Sequence, residues 1–100
     1  MLNYLTKLYQ LGSLPVIRPG TTQKLNVAAA AAASDVVGAD VVRLLSTVDC
    51  HVAFGAAPVA DGTCLFLVAN VPEYFACLAA DKVSAVREAV DGVLYITPAM

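Results

Sequence analysis

Residues 40–68 read DVVRLLSTVDCHVAFGAAPVADGTCLFLV, and this stretch decides the fold. Asp40–Thr47 is rich in β-branched residues, which suit a pleated, half-buried strand. Cys50–Phe54 alternates strictly, with Cys50, Val52 and Phe54 on one face and His51 and Ala53 on the other. Gly55–Thr63 is a loop in which Asp61-Gly62 favours a tight turn. Cys64–Val68 is a continuous apolar strand.

Working outward, the same grammar continues toward the C-terminus. Asn70-Val71-Pro72 reads as a turn, Tyr74–Leu78 as a strand, Ala79–Lys82 as a turn and Val83–Arg87 as a strand. Asp91-Gly92 is a second hairpin signal, and Val93–Thr97 is a closing strand. Upstream, Lys24–Ala30 begins a strand, with Leu25 and Val27 set against Asn26. The alanine run Ala28–Ala33 favours helix by isolated propensity. It is short and has no wide apolar stripe, so a strand running into a loop is preferred. Residues 12–23 hold two prolines and two glycines and form a turn-rich link. Before it, Leu2, Leu5, Leu8 and Tyr9 fit a short amphipathic helix, or an extended arm that docks on another subunit.

These elements give an all-β expectation: a small antiparallel β-sandwich over residues 24–100, preceded by an N-terminal arm and link over 1–23. Turn signals every 8–12 residues or so suggest a sandwich or barrel rather than βαβ units. The strands are expected to pair mostly with sequence neighbours, as in a meander or Greek key.

Composition bounds the surface. Of 100 residues, 59% are hydrophobic and 14% charged, against about 25% charged in ordinary domains. Disorder is excluded, because disordered chains are charge-rich and poor in apolar residues. A net charge of −2 gives no positive excess to displace counterions from phosphates, so no nucleic-acid partner is expected. The most tempting apolar run, Val27–Ala33, is too short to span a bilayer, so no membrane partner is expected either. Tyr9, Gln10, Gly12, Ser13 and Pro15 interrupt the N-terminal apolar stretch, which therefore does not read as a secretory signal, and the cytoplasm of the producing cell is the default. With so few charges, much of the exterior must be apolar or small and neutral. Large apolar patches usually mark contact surfaces, so the chain reads as a subunit covered by neighbours.

No constellation carries chemistry by spacing. Cys50, Cys64 and Cys77 are an odd set with no Cys-x-x-Cys pair, and read as free thiols. With His51 they would make a four-ligand zinc set in number but not in spacing, and His51 and Cys50 point to opposite faces of one strand. The same divergence argues against a Cys–His nucleophile pair. His51 is expected as an exposed or interface residue on the non-core face. All the aspartates but Asp40 fall in turns or at strand ends, where they bond backbone amides. Glu73 is a candidate for a surface ion pair with Lys82 or Arg87. The glycines are isolated and form no phosphate loop, and the aromatics read as packing residues. No catalytic, cofactor-binding or metal-ligating residue is therefore assigned, and the chain is not read as an enzyme.

From Val42 to Met100 the chain resembles a group of small virion proteins of tailed bacteriophages. The pieces that carry the likeness are VVRLLSTVDCHVAFG, FLVANVPEYFAC, DKVSAVRE and the terminal GVLYITPAM. Val71–Phe75 (VPEYF) sits at the matching place between two strands. The first 40 residues match poorly, and the alanine run replaces a segment usually rich in Ser and Thr. The resemblance implies a jelly-roll-like sandwich without catalytic residues, serving as a capsid decoration or cement protein. Its implied partners are the major capsid protein or other virion proteins, and its implied state is a homo-oligomer, trimer or dimer. Pro72, Glu73, Tyr74 and Phe75 are motif positions without an assigned role. A neck, tail or fibre-base component, a ligand-binding sandwich built on Tyr74 and Phe75, and a metal-dependent jelly-roll enzyme are the competing readings. The last would need at least two histidine ligands, and the chain has one histidine.

Overall fold

The computed structural model describes residues 18–99. The expected N-terminal arm lies mostly outside them. Eight strands follow in chain order: β1 (Gln23–Val27), β2 (Ala32–Ala33), β3 (Val41–Ser46), β4 (Cys50–Gly55), β5 (Leu65–Leu67), β6 (Glu73–Ala76), β7 (Lys82–Arg87) and β8 (Gly92–Ala99). They form two four-stranded antiparallel sheets, ordered β1-β8-β3-β6 and β2-β7-β4-β5. The fold is an all-β sandwich, as the turn spacing predicts.

The topology corrects the expectation of neighbour pairing. Strand β1 pairs with β8, β2 with β7, β3 with β6 and β4 with β5. Those are the pairings of one long hairpin bent at the β4–β5 loop. Rolling the hairpin up adds β3 against β8 and β4 against β7. This is jelly-roll order. Only β4 and β5 are both consecutive and paired. Turn residues mark where the chain reverses but not which sheet it reverses into. Asp91-Gly92 illustrates the point. It joins β7 and β8, which lie in opposite sheets, and so is no hairpin turn. Gly92 is there for clearance, since a Cβ would lie 2.6 Å from Val48 Cγ2 and 2.7 Å from Thr47 Oγ1.

The core lies between the sheets. One supplies Leu25 and Val27 of β1, Val42 and Leu44 of β3, and Leu94 and Ile96 of β8; the other supplies Cys50, Val52, Leu67, Val83 and Ala85. The alternation read in β1 and β4 holds, with Lys24 and Asn26 exposed between buried partners. Val37 and Ala39, in the β2–β3 link, join the same cluster. Each fully buried aliphatic side chain contributes roughly 1.5–3 kcal/mol relative to exposure.

The alanine run is one element neither as strand nor as helix. Strand β1 stops at Val27, residues 28–31 cross between the sheets, and β2 takes only Ala32–Ala33. Alanine brings too little apolar area to hold a long strand against a core. Pro98 falls inside β8, beyond the last β1 partner at Ile96. Its carbonyl accepts the Gly20 amide at 2.8 Å, and Pro19 bridges Ala99, so residues 19–20 already lie against the sandwich.

Asp49, Asp61 and Asp81 bond backbone amides, as expected of turn aspartates, whereas Asp91 takes an ion pair. Asp61 Oδ1 accepts the Thr63 amide at 2.8 Å, and Asp81 Oδ2 accepts the Leu78 amide at 2.9 Å. Asp49 Oδ1 reaches further, to the Ala69 amide at 2.8 Å, and so ties the β3–β4 turn to the end of β5. Asn70 takes a left-handed φ of 63°, which asparagine tolerates, and its amide donates to the Ser46 carbonyl at 2.7 Å. The expected Glu73 ion pair with Lys82 or Arg87 is not made, because β6 and β7 belong to different sheets. Arg87 pairs with Asp91 at 2.6 Å instead.

Candidate interaction surface

The β2-β7-β4-β5 sheet carries the most distinctive exterior. Strand β5 is its edge, hydrogen-bonded on one side only, to β4. Around that edge Leu65, Phe66, Val68 and Val71 are all exposed, and so is Val59 in the β4–β5 loop. From Gly62 to Pro72 the chain carries no charge. Natural edge strands usually hold a lysine, proline or bulge that blocks pairing with another chain, and Leu65–Leu67 has neither charge nor proline. An uncharged apolar edge of this kind is a ready contact surface.

The β4–β5 loop folds back over the outer face of this sheet. The Ala60 amide donates to Ser84 Oγ at 2.9 Å, and both residues are buried. The far end of the loop is held by His51. Its Nδ1 lies 3.1 Å from the Cys64 carbonyl, its Nε2 meets the Glu88 carboxylate, and its ring meets Phe66 at 5.3 Å and 66°. His51 is therefore on the non-core face, as expected, but it is not an exposed residue: its side chain is only 12% accessible. The Cys64 carbonyl raises the His51 pKa above the ordinary value, helped by the Glu88 hydrogen bond.

The other sheet presents an open groove of about 370 Å³, lined by Pro19, Thr22, Arg43, Tyr74, Thr97 and Ala99. Register places Arg43 beside both Tyr74 and Thr97, and Thr22 Oγ1 lies 2.7 Å from Thr97 Oγ1. The motif positions separate here. Tyr74 is exposed in the groove, whereas Phe75 packs inward on Phe54 with ring centroids 5.7 Å apart. A paired Tyr74–Phe75 platform for a ligand is thus not formed, because adjacent strand residues face opposite ways.

The cysteines are scattered. Cys50 is in the core, Cys77 Sγ donates to the Ala39 carbonyl at 3.2 Å, and Cys64 Sγ lies 3.6 Å from Asp61 Oδ1. Burial raises the thiol pKa of both Cys50 and Cys77, and nearby aspartates add to it. Both stay protonated and unreactive near neutral pH. Cys64 offers His51 its carbonyl, so the two side chains form no nucleophile pair. Among the described residues no three His, Cys, Asp or Glu side chains are grouped to hold a metal. No helix among them is long and apolar enough to cross a membrane.

Sequence reasoning placed His51 on the right face but missed its partners. Cys64 and Glu88 are 13 and 37 residues away, and no local spacing announces them. Comparison with family models, curated proteins and solved structures gave no match.

Proposed function

We propose that this chain is a non-enzymatic structural protein of a tailed-bacteriophage virion, a decoration protein that cements the head by binding over joints between major capsid subunits. The observation that carries the reading is the uncharged apolar edge at β5, along which Leu65, Phe66, Val68 and Val71 are each exposed. Each of these side chains is about half exposed, so a covering partner would recover about half of the roughly 1.5–3 kcal/mol that full burial of such a side chain contributes. The low overall charge and the phage-like pattern from Val42 onward support the same reading, and jelly-roll order is frequent among capsid proteins. In this proposal the chain is made in the host cytoplasm, assembles as a dimer or trimer, and resides in the capsid.

The test is to locate the chain in purified particles by quantitative mass spectrometry and electron microscopy. Hundreds of copies on the shell are expected. About a dozen or fewer would move it to a neck, tail or fibre-base ring by symmetry. Its absence from particles overturns the virion reading altogether.

A further inference from the structure

His51 faces two hydrogen-bond acceptors, one at each ring nitrogen: the Cys64 carbonyl at Nδ1 and the Glu88 carboxylate at Nε2. A neutral imidazole has one N–H and can serve one of them, whereas an imidazolium has two and serves both. The two acceptors belong to different parts of the chain. Cys64 ends the β4–β5 loop, and Glu88 directly follows β7. We propose that His51 is a proton-operated clasp: with both nitrogens protonated it locks the end of the β4–β5 loop and the β7 terminus to β4, and on losing the Nδ1 proton it lets the loop end go.

The choice of proton follows from the partners. A carboxylate is the stronger acceptor, so the neutral ring keeps Nε2–H toward Glu88. The Nδ1 lone pair then faces the Cys64 carbonyl, and the two oppose each other. The surrounding groups agree. On β7, Val86 sits directly across from His51 and carries no charge, and on β5 the cross-strand neighbour is Phe66. From the loop, the Asp61 charge acts in favour of the imidazolium, as does that of Glu88. Arg87, the cation next to Glu88 in sequence, is engaged by Asp91. Asp49 is committed to the Ala69 amide, and Lys82 stands at the other end of β7, opposite Gly55. Phe66 packs on the same ring, so the apolar edge loosens with the loop. The inference concerns the isolated chain and does not rest on the virion reading.

The chain has one histidine, so its ring nitrogen signals are unambiguous. The experiment is a titration of the full-length ¹⁵N-labelled chain from acid to alkaline pH by NMR, with amide exchange corrected for its intrinsic pH dependence. The ring should titrate with a midpoint above about 6.5 and carry its remaining proton on Nε2. Amides from Asp61 to Phe66 should shift at the same midpoint and lose protection by roughly three- to tenfold, the factor that the loss of one hydrogen bond implies. Glu88→Gln should lower the midpoint, and His51→Gln should abolish the loop response. If H51Q does not fold, E88Q carries the test alone. A neutral ring protonated on Nδ1, a loop indifferent to the His51 titration, or a midpoint unmoved by E88Q would overturn the clasp.

Discussion

His51 shows how a single side chain ties together three parts of the fold. Its pKa is raised in the folded chain, first by the Cys64 carbonyl and then by Glu88. Its contribution to stability is therefore fully present below its unfolded value of about 6.5 and is lost as pH rises through the folded value. Urea unfolding of the wild type should show a larger drop between pH 6 and pH 8.5 than that of His51→Gln; equal slopes would remove the clasp from the stability account. Gly92 is a second residue with a definite task, leaving room for Thr47 and Val48. Gly92→Ala pushes a methyl into that contact and should cost about 1–3 kcal/mol, read as a shifted denaturation midpoint. Leu44 is fully buried on the central strand β3. Leu44→Ala should cost about 2–5 kcal/mol, the range for a cavity in a close-packed core.

At the scale of elements, the β5 edge differs from the other three sheet edges. Strand β2 is two residues long, which limits its capacity for further pairing. Strand β1 carries Lys24 outward, and Gln23 bonds Asp35 and Val36, bracing the β2–β3 link against it. Strand β6 begins with Glu73. Of the three edges longer than two residues, only β5 is without charge. Phe66 points to the solvent side of its sheet while Leu67 enters the core, so a lysine at 66 spares the interior. Phe66→Lys should weaken association of the chain with itself or with capsids by tenfold or so, with a folding stability within about 1 kcal/mol of wild type. Sedimentation velocity and capsid pull-down measure the first, and chemical denaturation the second. Unchanged association would place the contact surface elsewhere on the molecule.

For the molecule as a whole, the shortage of charge sets how contacts respond to salt. Exposed charge pairs are screened over about 8–10 Å at physiological ionic strength, whereas apolar contacts are not. Association through the β5 face should therefore hold or strengthen between low and high sodium chloride. A steep loss with salt would point to the Arg43 groove, which presents the other sheet's outer face.

The division between sequence and tertiary structure falls along the range of the interactions. Period-two patterns and turn residues are local, and they determined the all-β class, most strand positions and the turn aspartates. Alternation in Cys50–Phe54 sufficed to put Cys50 and Val52 in the core and His51 outside it. Pairing is not local. A strand's two neighbours depend on which apolar faces can be buried together, so only the folded chain decided that β1 meets β8 and β3 meets β6. The same holds for the candidate site. Cys64 and Phe66 meet His51 across the β4–β5 hairpin, and Glu88 joins them because the roll-up sets β7 against β4; hydrogen bonds across such distances in the chain leave no periodic trace in the residues that make them.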